Sequence, residues 1–599
     1  MSVVDAAEKL PEWDLGDLYK SPDDPALEAD IASVKEKIAA FCAACQGKLS
    51  ALDGDGLGGA IADFEVIQEI FGRIMSYAGL LHASDMADPA ISRFYQNCQE
   101  RLNEIGLDLI FFTLELNRLD DVRLGELYAE SAVLRRYRPW VEDVRLYRPY
   151  QLDDTLERLF HEKSVTAQAA WVRLFDETMA SLTYAFENPE TGKVDELGTE
   201  ETLHHLSDKN PQKRRAAAKA LSATFVQNVR LFTLITNTLA KDKEIEDKWR
   251  KFPSAMASRH LSNQVEPEVV EALVGAVRAS YPKLSHRYYA MKAKWMGKEA
   301  LEFWDRNAPL PEDDDRHIPW DEARVIVLDA YRDFSKPLAD LGGRFFANPW
   351  IDVPVRRGKA PGAFAHPTVP SAHPYLLLNY MGKTRDVMTL AHELGHGVHQ
   401  LLAADQGELL SQTPLTLAET ASVFGEMLTF QALLRKTSNP AERRVMLASK
   451  VEDMLNTVVR QIAFYSFEAK VHAERASGEL TPQRLGEIWL EIQHESLGDA
   501  VRMSEGYENY WCYIPHFIHS PFYVYAYAFG DCLVNSLYAV YQAAPEGFEG
   551  KYLEMLRAGG TLRHKALLAP FGLYAGDPAF WQKGLDVIAG FIDELERLS

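Results

Sequence analysis

The chain has 599 residues, 47% of them hydrophobic and 25% charged, with 11% aromatic residues. That length exceeds what one hydrophobic core holds, and the composition excludes a disordered or fibrous chain. A formal net charge of -23 repels a phosphate backbone, so nucleic acid is not an expected partner, and the acidity is read as keeping the protein in solution.

The opening MSVVDAAEKLPEWDLGDLY lacks a basic stretch followed by an apolar one, so no secretory leader is expected. Five cysteines, thinly spread, imply no disulfide framework and point to a reducing, cytoplasmic setting. From about Ala26 to Phe186 apolar residues recur at three- and four-residue spacing, as in ADIASVKEKIAAFCAACQ and FEVIQEIFGRIMSYAGLLHAS, which predicts amphipathic helices. The segment Glu187 to Glu200 gathers Pro, Gly and charge and is expected as a boundary or surface excursion. Helical patterns resume in LSDKNPQKRRAAAKALSATF, with Ser207 or Asp208 as the expected cap. Asn307 to Trp320, with three prolines and the run Asp313, Asp314 and Asp315, reads as a solvated loop.

Between Ile351 and Tyr380 the texture changes to short alternating runs and Gly/Pro-rich turns, the one stretch of the chain read as strand. Helices are expected from there to the C-terminus. The apolar stretch Phe522 to Tyr541 contains Asp531 and Asn535, so it is expected as a buried helix and no membrane contact is expected.

The segment TLAHELGHGVHQLLA carries His392, Glu393 and His396 in an HExxH pattern. Histidines four apart lie on one helix face and reach one ion, and the glutamate between them is placed to act as a base toward water. Val387, Ala391, Leu394, Val398, Leu401 and Leu402 form a stripe, and the two histidines lie about 140° and 180° from its centre. One face therefore packs inward while the other presents the histidines.

Catalytic zinc usually takes three protein ligands. A histidine ten positions after His392 is ruled out because residue 402 is Leu, and His399 lies too far along the axis to complete a compact site, so it is assigned to the surrounding pocket. The preferred third ligand is Glu419, on a helix expected to start at Thr413 and Pro414. Glu419, Ser422, Val423, Glu426, Phe430 and Leu433 share a face. Carboxylates on such a stripe are costly unless paired or coordinated, which suits Glu419 as ligand and Glu426 as a group orienting a histidine.

These motifs, together with PEWDLGDLY, RRYRPWVEDVRLYRPYQLDDTLERLF, LEFWDRNAPL, GKAPGAFA, LAETASVFGEML and PHFIHSPFYVYAYAFG, resemble the oligoendopeptidase F group of the thimet oligopeptidase family of metallopeptidases. The resemblance implies a mainly α, elongated multi-helix body with a deep internal channel and a small β-element next to the HExxH helix. It implies an N-terminal helical region over 1–190 and a catalytic region over 191–599. One Zn2+ per chain, short peptides as substrates and cleavage at internal bonds are implied with it. It also implies a His and a Tyr that stabilise the tetrahedral intermediate, for which His516 and Tyr525 are chosen and Tyr523 and Tyr527 are kept open. The strand-like piece Gly362, Ala363 and Phe364 is expected to pair with the peptide backbone. A dipeptide-releasing exopeptidase and an inactive peptide-binding relative are the competing readings, and the oligomeric state, monomer or dimer, is left open.

Overall fold

The computed structural model describes residues 10–310 and 317–598; the Asp313 to Asp315 run lies outside the described residues. The fold is mainly helical. In chain order, α1 (Gly54–Ser84) is followed by the strands β1 (Tyr184–Glu187) and β2 (Val194–Leu197), then by α2 (Pro211–Arg250) and β3 (Leu301–Glu302). Next come α3 (Trp320–Phe334), α4 (Lys336–Ala347), β4 (Ile351–Asp352), β5 (Phe364–His366) and β6 (Tyr375–Leu377). The chain continues through α5 (Thr384–Ala403), α6 (Leu415–Lys436), α7 (Val459–Arg475) and α8 (Pro482–Leu497). Then come β7 (Val501–Arg502), α9 (Tyr525–Ala543) and α10 (Phe548–Arg557); further helices, among them Pro25–Cys45, Pro89–Gly106, Pro440–Thr457 and Pro578–Arg597, complete the fold.

These elements form two compact units, each drawn from three stretches of chain. One takes the chain to Arg148, the stretch ending at Lys436, and Tyr541–Gly572. Its centre is the contact of α5 with α6, backed by α3 and α10. Phe334, Phe424 and Tyr552 pack there at ring-centroid distances of 4.6–5.4 Å. A three-stranded sheet in the order β4-β6-β5 lies in the same unit, with β6 parallel to β4 and antiparallel to β5, so β5 is an edge strand.

The other unit begins at Pro149, includes Thr437–Val540 and takes the chain from Leu573 onward. Its aromatic core includes Phe225 on α2, Phe464 on α7 and Trp489 on α8. Asp531 and Asn535 of α9 are buried and bonded to each other at 2.8 Å, as expected of an internal helix. Among the described residues no helix is long and apolar enough to cross a membrane. The five cysteines are unpaired thiols.

Three expectations need correction. Strand is not confined to 351–380: β1 and β2 form an antiparallel hairpin through the segment expected as a boundary or excursion, and β3 pairs with β7 in parallel. Only Tyr184 and Phe186 face inward from β1, too short an alternation to stand out from the helices around it. The cap of α2 is Asn210 rather than Ser207 or Asp208; its side chain accepts the Gln212 amide, with Pro211 in the first turn. Finally, α6 begins at Leu415, one residue beyond the expected first-turn proline.

Candidate metal centre

The start of α5 is held by Asp386, whose carboxylate accepts the amides of Met381 and Lys383 at 2.9 and 3.0 Å. Beyond it, Val387, Ala391, Leu394 and Val398 are buried along one face, as the spacing predicted. Two glycines on this helix permit close packing. A Cβ at Gly395 would lie 2.5 Å from the Ala421 carbonyl oxygen of α6, and one at Gly397 would lie 2.6 Å from the Phe345 ring of α4. The two helices therefore cross with their backbones in contact. Two tyrosines fix the crossing: Tyr331 of α3 donates to the Ala391 carbonyl at 2.6 Å, and Tyr552 of α10 donates to the Thr420 carbonyl at 3.0 Å.

This crossing brings the three expected donors together. Glu419 Oε2 lies 3.3 Å from His392 Nε2 and 3.4 Å from His396 Nε2. Among the described residues they are the one His/Cys/Asp/Glu group with metal-holding geometry, all three ligand atoms lying within 4.8 Å of one another. Glu419 also accepts the Ser422 hydroxyl at 2.7 Å and meets no Lys or Arg among the described residues. Burial opposes its charge, yet the two imidazoles hold its carboxyl well below the usual range. Burial likewise opposes a charged His392, but hydrogen bonds to Glu419 and Glu426 push it up to about 10. Two imidazole nitrogens and one carboxylate at this spacing are the donor set that zinc takes in three-ligand sites, so the residues fit that ion.

Glu426 stands behind His392: its Oε2 lies 3.3 Å from His392 Nδ1. That contact favours the proton on Nδ1 and leaves Nε2 free to coordinate. Glu393 is 7% exposed, and burial raises its pKa; the amide of Ala365 on β5 bonds to it. His399 stands apart from the three donors, buried, with Nε2 3.3 Å from Thr413 Oγ1 and its pKa lowered to about 4 by burial. Together with His396, Gln400 and Glu408 it lines a cavity of about 240 Å3 whose opposite wall, Pro367 to Pro370, continues directly from β5.

Gly362, with φ +77°, makes the turn into β5, and Asn379 holds that turn by donating to the carbonyls of Ala360 and Gly362 at 3.0 and 2.9 Å. Ala363 and Phe364 follow it onto the edge strand.

In the other unit Tyr525 is set apart from the other candidates. Its side chain is fully buried, and its hydroxyl is engaged by Asn263 Nδ2 at 2.9 Å and His260 Nδ1 at 3.1 Å. His516 instead groups with the two tyrosines kept open: its Nε2 lies 3.2 Å from the Tyr527 hydroxyl and its ring stacks on Tyr523. Tyr527 is 37% exposed. Sequence reasoning also missed Tyr331, Asn379, Asp386 and Tyr552, since a lone Tyr on an apolar helix face carries no mark distinguishing it from core.

Comparison with known proteins follows the same lines. Residues 327–587 match the family described as Peptidase family M3, and residues 115–184 match the family described as Oligopeptidase F. Oligopeptidase PepF of Bacillus subtilis is 25% identical over 593 residues, covering 98% of this chain and 87% of its own. An oligoendopeptidase F homolog of Lactococcus lactis is 26% identical over 621 residues, covering 99% and 97%. A crystal structure from Chlamydophila abortus has a TM-score of 0.86 at 21% identity, with 98% of each chain covered. That of oligoendopeptidase-F from Enterococcus faecium has a TM-score of 0.72 at 20% identity, covering 96% of this chain and 98% of the other. At these identities the structural likeness speaks for the fold.

Proposed function

Because the chain belongs to peptidase family M3, we propose that it is a zinc-dependent endopeptidase that hydrolyses internal bonds of short, unfolded peptides. The observation that carries this reading is the convergence of His392, His396 and Glu419 beside a buried glutamate, Glu393. His392, His396 and Glu419 would hold one Zn2+ per chain. When bound, zinc supplies Lewis acidity, polarising the scissile carbonyl and bringing the ionisation of a water toward neutral pH.

The chain's own residues do the rest. Glu393 takes the proton from the attacking water and returns it to the departing amine. Its raised pKa suits both halves of that exchange, and the Ala365 amide aims its carboxylate. β5 is an edge strand, so an extended peptide can lie along it, with Gly362, Ala363 and Phe364 leading into it. A peptide added there runs toward the cavity beside His396, which receives a side chain next to the scissile bond. His516 and Tyr527, with Tyr523 beside them, donate to the developing oxyanion. No acyl-enzyme forms, so no Ser or Cys nucleophile is needed. Five unpaired thiols suit a cytoplasmic, reducing compartment.

The test is product mapping. Peptides blocked at both termini are incubated with the zinc-loaded protein and the fragments are weighed. Cleavage at internal bonds of the blocked peptides supports the reading. Release of dipeptides from free C-termini only, with blocked peptides intact, replaces it with an exopeptidase.

A further inference from the structure

A second site of a different kind lies among residues that the peptidase reading does not use. A cavity of about 40 Å3 in the unit containing α7 and α8 is lined by Arg306, Arg460, Asn307, Trp489, Tyr507 and Tyr513, with other aromatic rings. Among the described residues no carboxylate pairs with either guanidinium. The acidic groups next to this region are already committed: Asp305 holds Arg214 and Lys298, and Glu452 holds Lys292 and the Tyr288 hydroxyl. Among the described residues Arg460 bonds to the Tyr513 hydroxyl, at 3.3 Å, and lies over the face of Phe464, 4.9 Å from its ring centroid, while Arg306 bonds to Tyr507.

Three N–H groups around the cavity are buried without a partner: Nε of Arg306, Nε of Arg460 and Nε1 of Trp489, whose side chain is 2% exposed. The Asn307 Oδ1 is orphaned too, and an amide turned over would present its NH2 instead. Buried donors without acceptors destabilise the fold, and unpaired buried charges do so more. One anion removes several of these costs at once. The volume exceeds what a single water needs but is too small for a peptide terminus with its chain attached.

We propose that this cavity binds a small monovalent inorganic anion of halide size, held by the guanidinium groups of Arg306 and Arg460 and the indole N–H of Trp489. The site is local and opposite in sign to a chain whose net charge is -23. Its lining comes from the turn after β3, from α7, from α8 and from the 507–513 segment, four pieces separated by up to about two hundred residues. A bound anion therefore ties distant parts of one unit together, and ligand binding to the folded state raises stability by mass action.

The experiment uses the intact protein. Thermal unfolding is followed at constant ionic strength while chloride replaces gluconate, and wild-type crystals are soaked in bromide for anomalous diffraction. The expected result is a saturable rise in Tm with chloride, a half-saturating concentration at least tenfold higher in Arg460→Gln and in Arg306→Gln, and bromide density between the two arginines. A Tm independent of chloride in the wild type overturns the proposal, as does a bromide-soaked crystal with no anomalous density in this cavity. Should either variant fail to fold, the two wild-type measurements decide the matter alone.

Discussion

Glu393 and Glu419 are carboxylates 26 positions apart whose surroundings drive them in opposite directions. Burial raises the pKa of Glu393, while the two imidazoles hold Glu419 well below its ordinary range. The first suits a proton carrier and the second a permanent anion. Glu393→Gln is accordingly expected to cut turnover by about 10²–10⁴-fold with zinc content unchanged, measured by metal analysis beside the assay. Glu419→Ala is expected to lose zinc and activity together. Full zinc occupancy in that variant would place the third ligand elsewhere. The tyrosines separate in the same way. Tyr527→Phe is expected to lower kcat about 10²–10³-fold with little change in stability. Tyr525→Phe strips a buried hydroxyl from Asn263 and His260, and is expected to cost about 1–3 kcal/mol of stability while turnover of the folded enzyme persists. The reverse pattern would restore Tyr525 to the reaction. At this scale the sequence was most readable where spacing encodes geometry, as in His392, Glu393 and His396. It was least readable for YVYAY, because a period of two on residues 523 to 527 does not reveal that they start a helix, which turns Tyr525 inward and Tyr527 outward.

The element that decides the site is the crossing of α5 with α6. A histidine pair on one helix becomes a three-donor group only when the second helix approaches closely enough, and Gly395 permits that approach. Gly395→Ala is expected to destabilise the protein by about 1–3 kcal/mol and weaken zinc binding, because the added methyl meets the backbone of α6. Gly343→Ala on α4 is the matched comparison. Nothing lies within 4 Å of the Cβ it would gain, so a gain of about 0.4–1 kcal/mol is expected in denaturant unfolding. Equal effects at the two positions would remove the packing argument. The helices themselves were legible because 3.6-residue spacing and caps are local signals; α5 starts and ends close to where its apolar stripe does. The β1–β2 hairpin was not legible, since its inward face is Tyr184 and Phe186 alone and its turn carries the Pro, Gly and charge that also mark a boundary.

For the molecule as a whole, composition and charge limited the class of protein, and the family resemblance spanned most of the chain. No local pattern carries the fact that each compact unit draws on three separated stretches, because that depends on contacts between residues hundreds of positions apart. The acidity of the chain also has a local consequence. Glu408 is pushed up to about 7, first by burial and then by Glu69 and Glu65. A carboxyl whose folded pKa exceeds its unfolded value of 4.5 favours the folded state at low pH, and that contribution fades as pH rises through about 7. Glu408 is only half-buried, so the loss is on the order of 1–2 kcal/mol rather than the full shift. Glu408→Gln is expected to flatten the fall in Tm between pH 5 and pH 8. An unchanged pH profile would mean that the carboxyl is ionised throughout.

In the proposed function one zinc, held by His392, His396 and Glu419, makes this chain cut peptides at internal bonds. The most direct test is a zinc titration of metal-free protein, read by cleavage of an internally quenched peptide blocked at both ends. Activity is expected to rise in proportion to added zinc, to stop at one equivalent per chain, and to stay about 10²–10⁴-fold lower in Glu393→Gln although that variant binds the same equivalent. Wild-type protein that takes up one zinc and leaves the peptide whole, or metal-free protein that cleaves it, would contradict the account.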